Sequence, residues 1–231
     1  MSFSDELKTE IKSILKESFS ERDGLKVPKT DNLKLGADAV KLDATFLYAD
    51  LAKSTELVEH FKWQFAAKLY KSFLYSTCKV IRSEGGHIVS FDGDRVMAVF
   101  IGKAKNTNAV RTSLKINSLK KMINKLILEK FKTDYQISHG VGIDTNVVRV
   151  VRAGIRGAND LVWISKAANN AAKLSDKRFG SFCSFITAAV YESINDNVKY
   201  SDSKLIWEKV YWNEKSCYVY SGLPHEKWTL S

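Results

Sequence analysis

Between Ser4 and Ser20 the apolar residues Leu7, Ile11, Ile14, Leu15 and Phe19 recur at three- and four-residue steps. That period predicts an amphipathic helix with a narrow apolar stripe, which needs a partner surface. The polar stretch from Glu21 to Val40 carries Asp23-Gly24, Pro28 and Gly36 and reads as a linker or a strap. Residues 1–40 are therefore expected to be helix plus linker, and 41–231 the main domain. Ala44 to Leu51 (ATFLYADL) is a β-rich apolar run that ends in an acid, and Ser54-Thr55-Glu56 resembles a helix start. The helix is expected to reach about Arg82, with Val58, Phe61, Phe65, Leu69, Phe73 and Ile81 as its core stripe, before Gly85-Gly86 stops it.

His87 to Phe100 (HIVSFDGDRVMAVF) holds two apolar runs around Asp92-Gly93, a dipeptide suited to tight hairpin turns. Ala104 to Lys130 is helical by the spacing of Val110, Leu114, Leu119, Ile123 and Leu126. Tyr135 to Gly154 reads as two strands around Asp144-Thr145-Asn146. The order is βαββαβ, the ferredoxin-like arrangement of an α+β fold, an antiparallel sheet with helices on one face. A short helix over Ile164–Ser175 and a strand pair over Ile206–Trp212 and Ser216–Ser221 extend it at the C-terminal end. His139, Arg149 and Arg152 fall on strands flanking a turn and are expected to be solvent-facing structural residues.

Composition sharpens the picture only in places. With 231 residues, 45% of them apolar, the chain can build a real core. It has no stretch near the ~20 apolar residues of a membrane span and no secretory start, so a soluble cytoplasmic protein is expected. Cys78, Cys183 and Cys217 are scattered and contain no CxxC pair, which argues against a disulfide framework or a structural zinc site. A net charge of +10 favours polyanionic partners. The basic residues form no continuous arm, and nucleic acid is not the expected partner.

Two acids stand apart from solvated helix faces: Asp50 at a strand end and Asp94 at a hairpin tip. In a split βαβ sheet the first strand and the hairpin are neighbours, so these carboxylates can converge. Two hard oxygen donors suit Mg²⁺ or Mn²⁺ bound to a triphosphate. Spacing alone leaves open that Asp92 and Asp94 merely build the turn.

The segments FLYADLAKSTEL, FDGDRVMAVF, SHGVGIDTNVVRVVRAGIRG and NNAAKL resemble, in order and spacing, the catalytic segments of class III nucleotidyl cyclases. The likeness covers about residues 43–180. It implies two divalent ions per site, Mn²⁺ or Mg²⁺, on Asp50, Asp94 and the backbone at Leu51, one activating the ribose 3′-hydroxyl and the other bridging the β- and γ-phosphates. Amides from Leu51 to Thr55 would face the phosphates, although Ser54 and Thr55 are equally readable as helix caps. It also implies that Asn169 orients the ribose and that Lys173, where the family has arginine, neutralises charge on the α-phosphate. Lysine keeps that charge without the planar fork, and an ordinary surface lysine is the other reading. Each site is expected to be composite, with the aspartates from one protomer and Asn169 and Lys173 from its partner in a homodimer.

Ser90 and Val162 fall at the positions where adenylate cyclases read adenine, and neither is the adenine-reading residue. The run RGANDLVWISKAANNAAKL, Arg156 to Leu174, resembles the pyrimidine cyclases of the bacterial anti-phage Pycsar system. That likeness implies UTP or CTP as substrate, a signalling role in phage infection and a separate cyclic-nucleotide receptor downstream. It also maps functional roles onto Tyr48 and Arg95, provided strand alternation does not turn them away from the pocket. An adenylate cyclase with divergent base contacts and a catalytically silent nucleotide-binding domain are the competing readings.

Overall fold

The computed structural model describes residues 2–177, 183–222 and 228. It divides into two compact units, one of residues 1–43 and 147–165, the other of residues 44–146 and 166–231. The long strands β2 (Asp38–Ala52) and β5 (Ser138–Ile155) contribute residues to both.

In the second unit β2 is followed by α2 (Ser54–His60), α3 (Trp63–Ser83), the hairpin β3 (His87–Asp92) and β4 (Arg95–Ile101), α4 (Lys105–Phe131) and β5. The strand order β5-β2-β4-β3 is the ferredoxin-like arrangement read from the sequence. Alternation explains the packing. Leu47, Ala49, Leu51, Val96, Ala98 and Phe100 point to one face and share a core with Leu69, Phe73 and Ile81 of α3 and Val110, Leu114 and Ile123 of α4.

The sheet then continues through β7 (Ser184–Thr187), parallel to β5, and the closing pair β10 (Trp207–Trp212) and β11 (Cys217–Gly222). A two-residue ladder of β8 (Tyr200–Ser201) and β9 (Lys204–Leu205) lies apart from it, and α6 (Ala188–Ser193) follows β7. The helix α5 (Lys166–Ser175) sits so close to β5 that a Cβ on Gly142 would lie 2.0 Å from the Ala171 carbonyl oxygen. Leu174 of α5 shares a small core with Phe185, Trp212 and Val219.

Several expectations are corrected. The single helix over 54–82 is broken at Phe61, whose backbone is extended and whose ring packs 5.1 Å from Phe65 and 4.8 Å from Tyr135. With that break Leu57, not Val58, is the buried residue of α2. The two strands foreseen around Asp144-Thr145-Asn146 are one continuous β5. Asp144 turns its carboxylate to Thr187, Asn170 and the Thr145 amide, so its polar side chain is satisfied without a chain reversal. His139 is buried and hydrogen-bonded to Asn117 at 2.9 Å, where a solvent-facing residue was expected.

The first unit begins with α1 (Phe3–Ile14), shorter than the helix foreseen. The presumed linker contains β1 (Ser20–Asp23), which pairs in parallel with Asp38–Lys41. Strand β6 (Ala158–Ile164), unforeseen, pairs with Arg149–Ile155 of β5. Arg149 meets Glu21, and Arg152 meets Asn159 and the Leu33 carbonyl, structural duties as expected.

Candidate active site

The register of β2 on β4 assembles the site. Asp50 stands opposite Arg95 and Tyr48 opposite Met97, while on the other side of β4 Ser90 pairs with Met97 and Asp92 with Arg95. Period-two alternation puts Tyr48, Asp50, Arg95, Met97 and Ser90 on the sheet face opposite the α3/α4 core. Contacts bear this out. Arg95 Nη2 donates to Asp50 Oδ2 at 3.2 Å, Tyr48 Oη donates to Met97 Sδ at 3.0 Å, and Ser90 Oγ lies 3.8 Å from the same sulfur. Tyr48 and Arg95 thus share the face of Asp50. Burial pushes the Tyr48 phenol up, so it is a hydrogen-bond donor at neutral pH.

Asp94 sits in the two-residue turn between Asp92 and Arg95, behind Gly93, whose φ of +58° is the left-handed geometry that such a turn gives to glycine. Burial pushes the Asp94 carboxyl up, a hydrogen bond with Ser54 pulls it down, and the nearby Asp50 charge pushes it up again. Ser54 therefore serves Asp94 and does not cap α2, whose N-cap is Lys53 at φ +60°. Thr55 is exposed. Asp94 Oδ2 is buried with no hydrogen-bond partner among the described residues. A buried carboxylate oxygen without a donor is costly unless something electropositive meets it. Asp50 and Asp94 thus fit a divalent cation, with Leu51 buried between Asp50 and the α2 entrance. Among the described residues no group of three or more His, Cys, Asp or Glu side chains is assembled. Two carboxylates leave most of a hard cation's shell to other oxygen ligands.

The remaining sequence-predicted residues lie elsewhere. Asn169 and Lys173 are exposed on α5. Asn169 lines a cleft of about 550 Å³ with Asp144, Asn146, Lys166, Trp212 and Tyr218, and none of Asp50, Asp94 or Arg95 lines that cleft. Its neighbour Asn170 is committed to Asp144 at 2.9 Å. Val162 is exposed on β6, in the first unit, opposite Val151. Sequence reasoning missed Met97, which accepts from Tyr48, and Asp176, just beyond α5, which accepts from Arg95 Nη2 at 2.5 Å. The Tyr48–Met97 pairing follows from the register once the hairpin is recognised. Nothing in the sequence signals Asp176.

Comparison with known proteins adds the decisive observation. The uridylate cyclase of Burkholderia cepacia is 42% identical over 233 residues, covering 100% of this chain and 100% of that protein. The uridylate cyclase of Xanthomonas perforans is 42% identical over 219 residues, 92% of this chain and 93% of its own. The chain belongs to the uridylate cyclase family. As a family member it is a nucleotide cyclase, a lyase. No protein-family model matches it. Among solved structures, a bacterial light-regulated adenylyl cyclase superposes with TM-score 0.67 at 21% identity, covering 79% of this chain and 90% of that one. The guanylyl cyclase Cya2 superposes with TM-score 0.68 at 18% identity, covering 83% and 97%. These structures show that the uridylate cyclase fold here is the class III cyclase fold. No helix among the described residues is long and apolar enough to cross a membrane.

Proposed function

We propose that the chain converts UTP, with CTP the alternative pyrimidine, to the 3′,5′-cyclic monophosphate and pyrophosphate. The observation that carries the reading is Asp94, which feels the Asp50 charge and whose buried Oδ2 has no donor among the described residues. Asp50 and Asp94 would hold Mn²⁺ or Mg²⁺, which would supply Lewis acidity to the ribose 3′-oxygen and to the phosphates. The 3′-oxygen attacks the α-phosphorus, the bond from that phosphorus to the bridging oxygen breaks, pyrophosphate leaves, and the hydroxyl proton passes to solvent. Asp50 and Asp94 hold the charge that positions this chemistry, and Arg95, now between Asp50 and Asp176, donates to a phosphate or to a base carbonyl.

Tyr48 and Arg95 present hydrogen-bond donors on the site face, which suits the O4 acceptor of uracil better than the amino group of cytosine. Ser90 joins them through Met97. Val162 is the further base-reading candidate, and the main chain from Leu51 to Thr55 the phosphate-facing one. We assign Asn169 to the ribose and Lys173 to the α-phosphate in the active site of a partner protomer. That the Asn169 cleft contains none of the metal acids supports such a composite site. The resemblance of Arg156–Leu174 to the Pycsar cyclases supports a cytoplasmic anti-phage signal read by a separate receptor protein.

The test is incubation with Mn²⁺ and each of ATP, GTP, CTP and UTP beside an Asp94→Ala control, with products identified by mass. Cyclic UMP made only by the parent protein is the expected result. Cyclic AMP would overturn the base assignment while keeping the metal site. No product from any nucleotide would return the chain to a silent binding domain.

A further inference from the structure

Every residue of α1 is exposed, including Phe3 (76%), Leu7 (45%), Ile11 (54%) and Ile14 (54%), and Leu15 continues the stripe at the C-cap. At 3.6 residues per turn these side chains form one face. The helix start is complete nonetheless: Ser2 and Asp5 form a reciprocal capping box, with Thr9 bonded back to the Asp5 carbonyl. Such a box contributes about 1 kcal/mol. An isolated helix of 12 residues is marginal in water even so. A finished start and a bare apolar face are the marks of a helix that is covered by something else.

The charges indicate what covers it. Glu10 flanks one edge of the stripe, with Glu6 further round on that side, and Lys8 flanks the other, with Lys12 further back beside Asp5, which is held in the capping box. Two copies packed stripe to stripe in parallel bring the acidic edge of each against the basic edge of the other, on both sides of the seam. Antiparallel packing sets each edge against its own kind. A lipid surface is the poorer match, because the three acids Asp5, Glu6 and Glu10 exceed the two lysines Lys8 and Lys12, whereas interfacial helices carry a lysine-rich polar face.

We propose that α1 pairs in parallel with the α1 of a second copy of this chain, burying the Phe3–Leu7–Ile11–Ile14 stripe between them. The helix is short, so the pair reinforces a dimer and does not by itself create a tight one. Register follows from the symmetry: each stripe residue faces its own counterpart. The pairing stands on α1 alone and does not depend on which nucleotide is cyclised.

Disulfide trapping tests it on the full chain, in a Cys217→Ser background that removes the exposed native thiol. Phe3→Cys and Ile14→Cys replace exposed residues at opposite ends of the stripe. Under mild oxidation each variant alone is expected to give a linked dimer, with the linked peptides identified by mass. Linkage only when the two variants are mixed would show antiparallel pairing and overturn the proposal, and so would no linkage at all. As an independent arm, Leu7→Glu with Ile11→Glu is expected to raise the dimer dissociation constant at least tenfold by sedimentation. An unchanged constant would overturn the proposal equally, and because neither arm reads turnover, a failed cyclase assay leaves both intact.

Discussion

Asp94→Asn separates the electrostatic role of this carboxyl from its structural role. The substitution keeps the shape of the side chain and an oxygen for Ser54, and replaces the unpartnered buried Oδ2 by an equally unpartnered amide nitrogen. Burying an unpaired neutral amide costs roughly 1–3 kcal/mol, less than burying an unpaired carboxylate. It also removes the repulsion from Asp50. The ligand-free variant is therefore expected to be as stable as the parent or slightly more so, within about 1 kcal/mol. With Mn²⁺ and 3′-deoxy-UTP, which lacks the attacking hydroxyl, at about 100 times the dissociation constant, the parent gains about 2.7 kcal/mol by linkage. For a chain of this length that is a rise in melting temperature of roughly 5–11 °C. If the substitution weakens binding about 100-fold, the variant gains only about 0.4 kcal/mol, or roughly 1–2 °C. Scanning calorimetry with and without the ligand pair reads both numbers. Equal ligand-induced shifts in parent and variant would refute a metal role for Asp94. A ligand-free loss above about 3 kcal/mol would show that the carboxylate is there to hold the hairpin.

Two further outcomes are expected. Gly142→Ala drives a Cβ into the backbone of α5, 2.0 Å from the Ala171 oxygen and 2.5 Å from the Ser175 nitrogen. Urea unfolding should show a loss of about 3 kcal/mol or more, and a loss under about 1 kcal/mol would mean that α5 does not rest on β5 as described. For Asp144, burial raises the carboxyl, against the hydrogen bonds from Thr187, Asn170 and the Thr145 amide that pull it down. A raised folded value means that this group's contribution is fully present below its unfolded value of about 3.9 and is lost as pH rises through the folded value. Asp144→Asn leaves one carbonyl oxygen for three donors and should be less stable throughout. The stability gap to the parent should be widest near the acid end and narrow toward neutral pH, and a gap that widens with pH would contradict the direction of the shift.

The architecture was legible where one period ruled a whole segment. Strand β4 is buried through the core, so its apolar positions declare themselves, and Asp92-Gly93 marks the turn between β3 and β4. Helix α4 was readable from Val110, Leu114, Leu119 and Ile123, which are buried, although it also buries Thr112, Ser113 and Asn117 and leaves Leu126 exposed. Asp50 and Asp94 stood out for a related reason, because one closes an apolar strand run and the other follows the Asp92-Gly93 turn signal. What escaped reading depends on contacts distant in sequence. Phe61 leaves the helix to meet Tyr135, Asp144 stays in a strand because Thr187 and Asn170 satisfy it, and Asp176 meets Arg95 across 81 positions. Strand β6 alternates exposed and half-buried residues without a strong apolar face, and its sequence resembles a loop leading into α5.

The two-residue turn at Gly93-Asp94 makes chain length in this hairpin a matter of parity. Adding one residue between Arg95 and Val96 would send the residues ahead of it to the opposite face and pull Arg95 off Asp50, with Val96, Ala98 and Phe100 of β4 keeping their places in the core. Insertions of two would restore the face. Single-residue insertions at the turn should therefore give folded proteins with a displaced Arg95, whereas the same insertion between Val96 and Phe100 should cost stability as well, because it turns core side chains out.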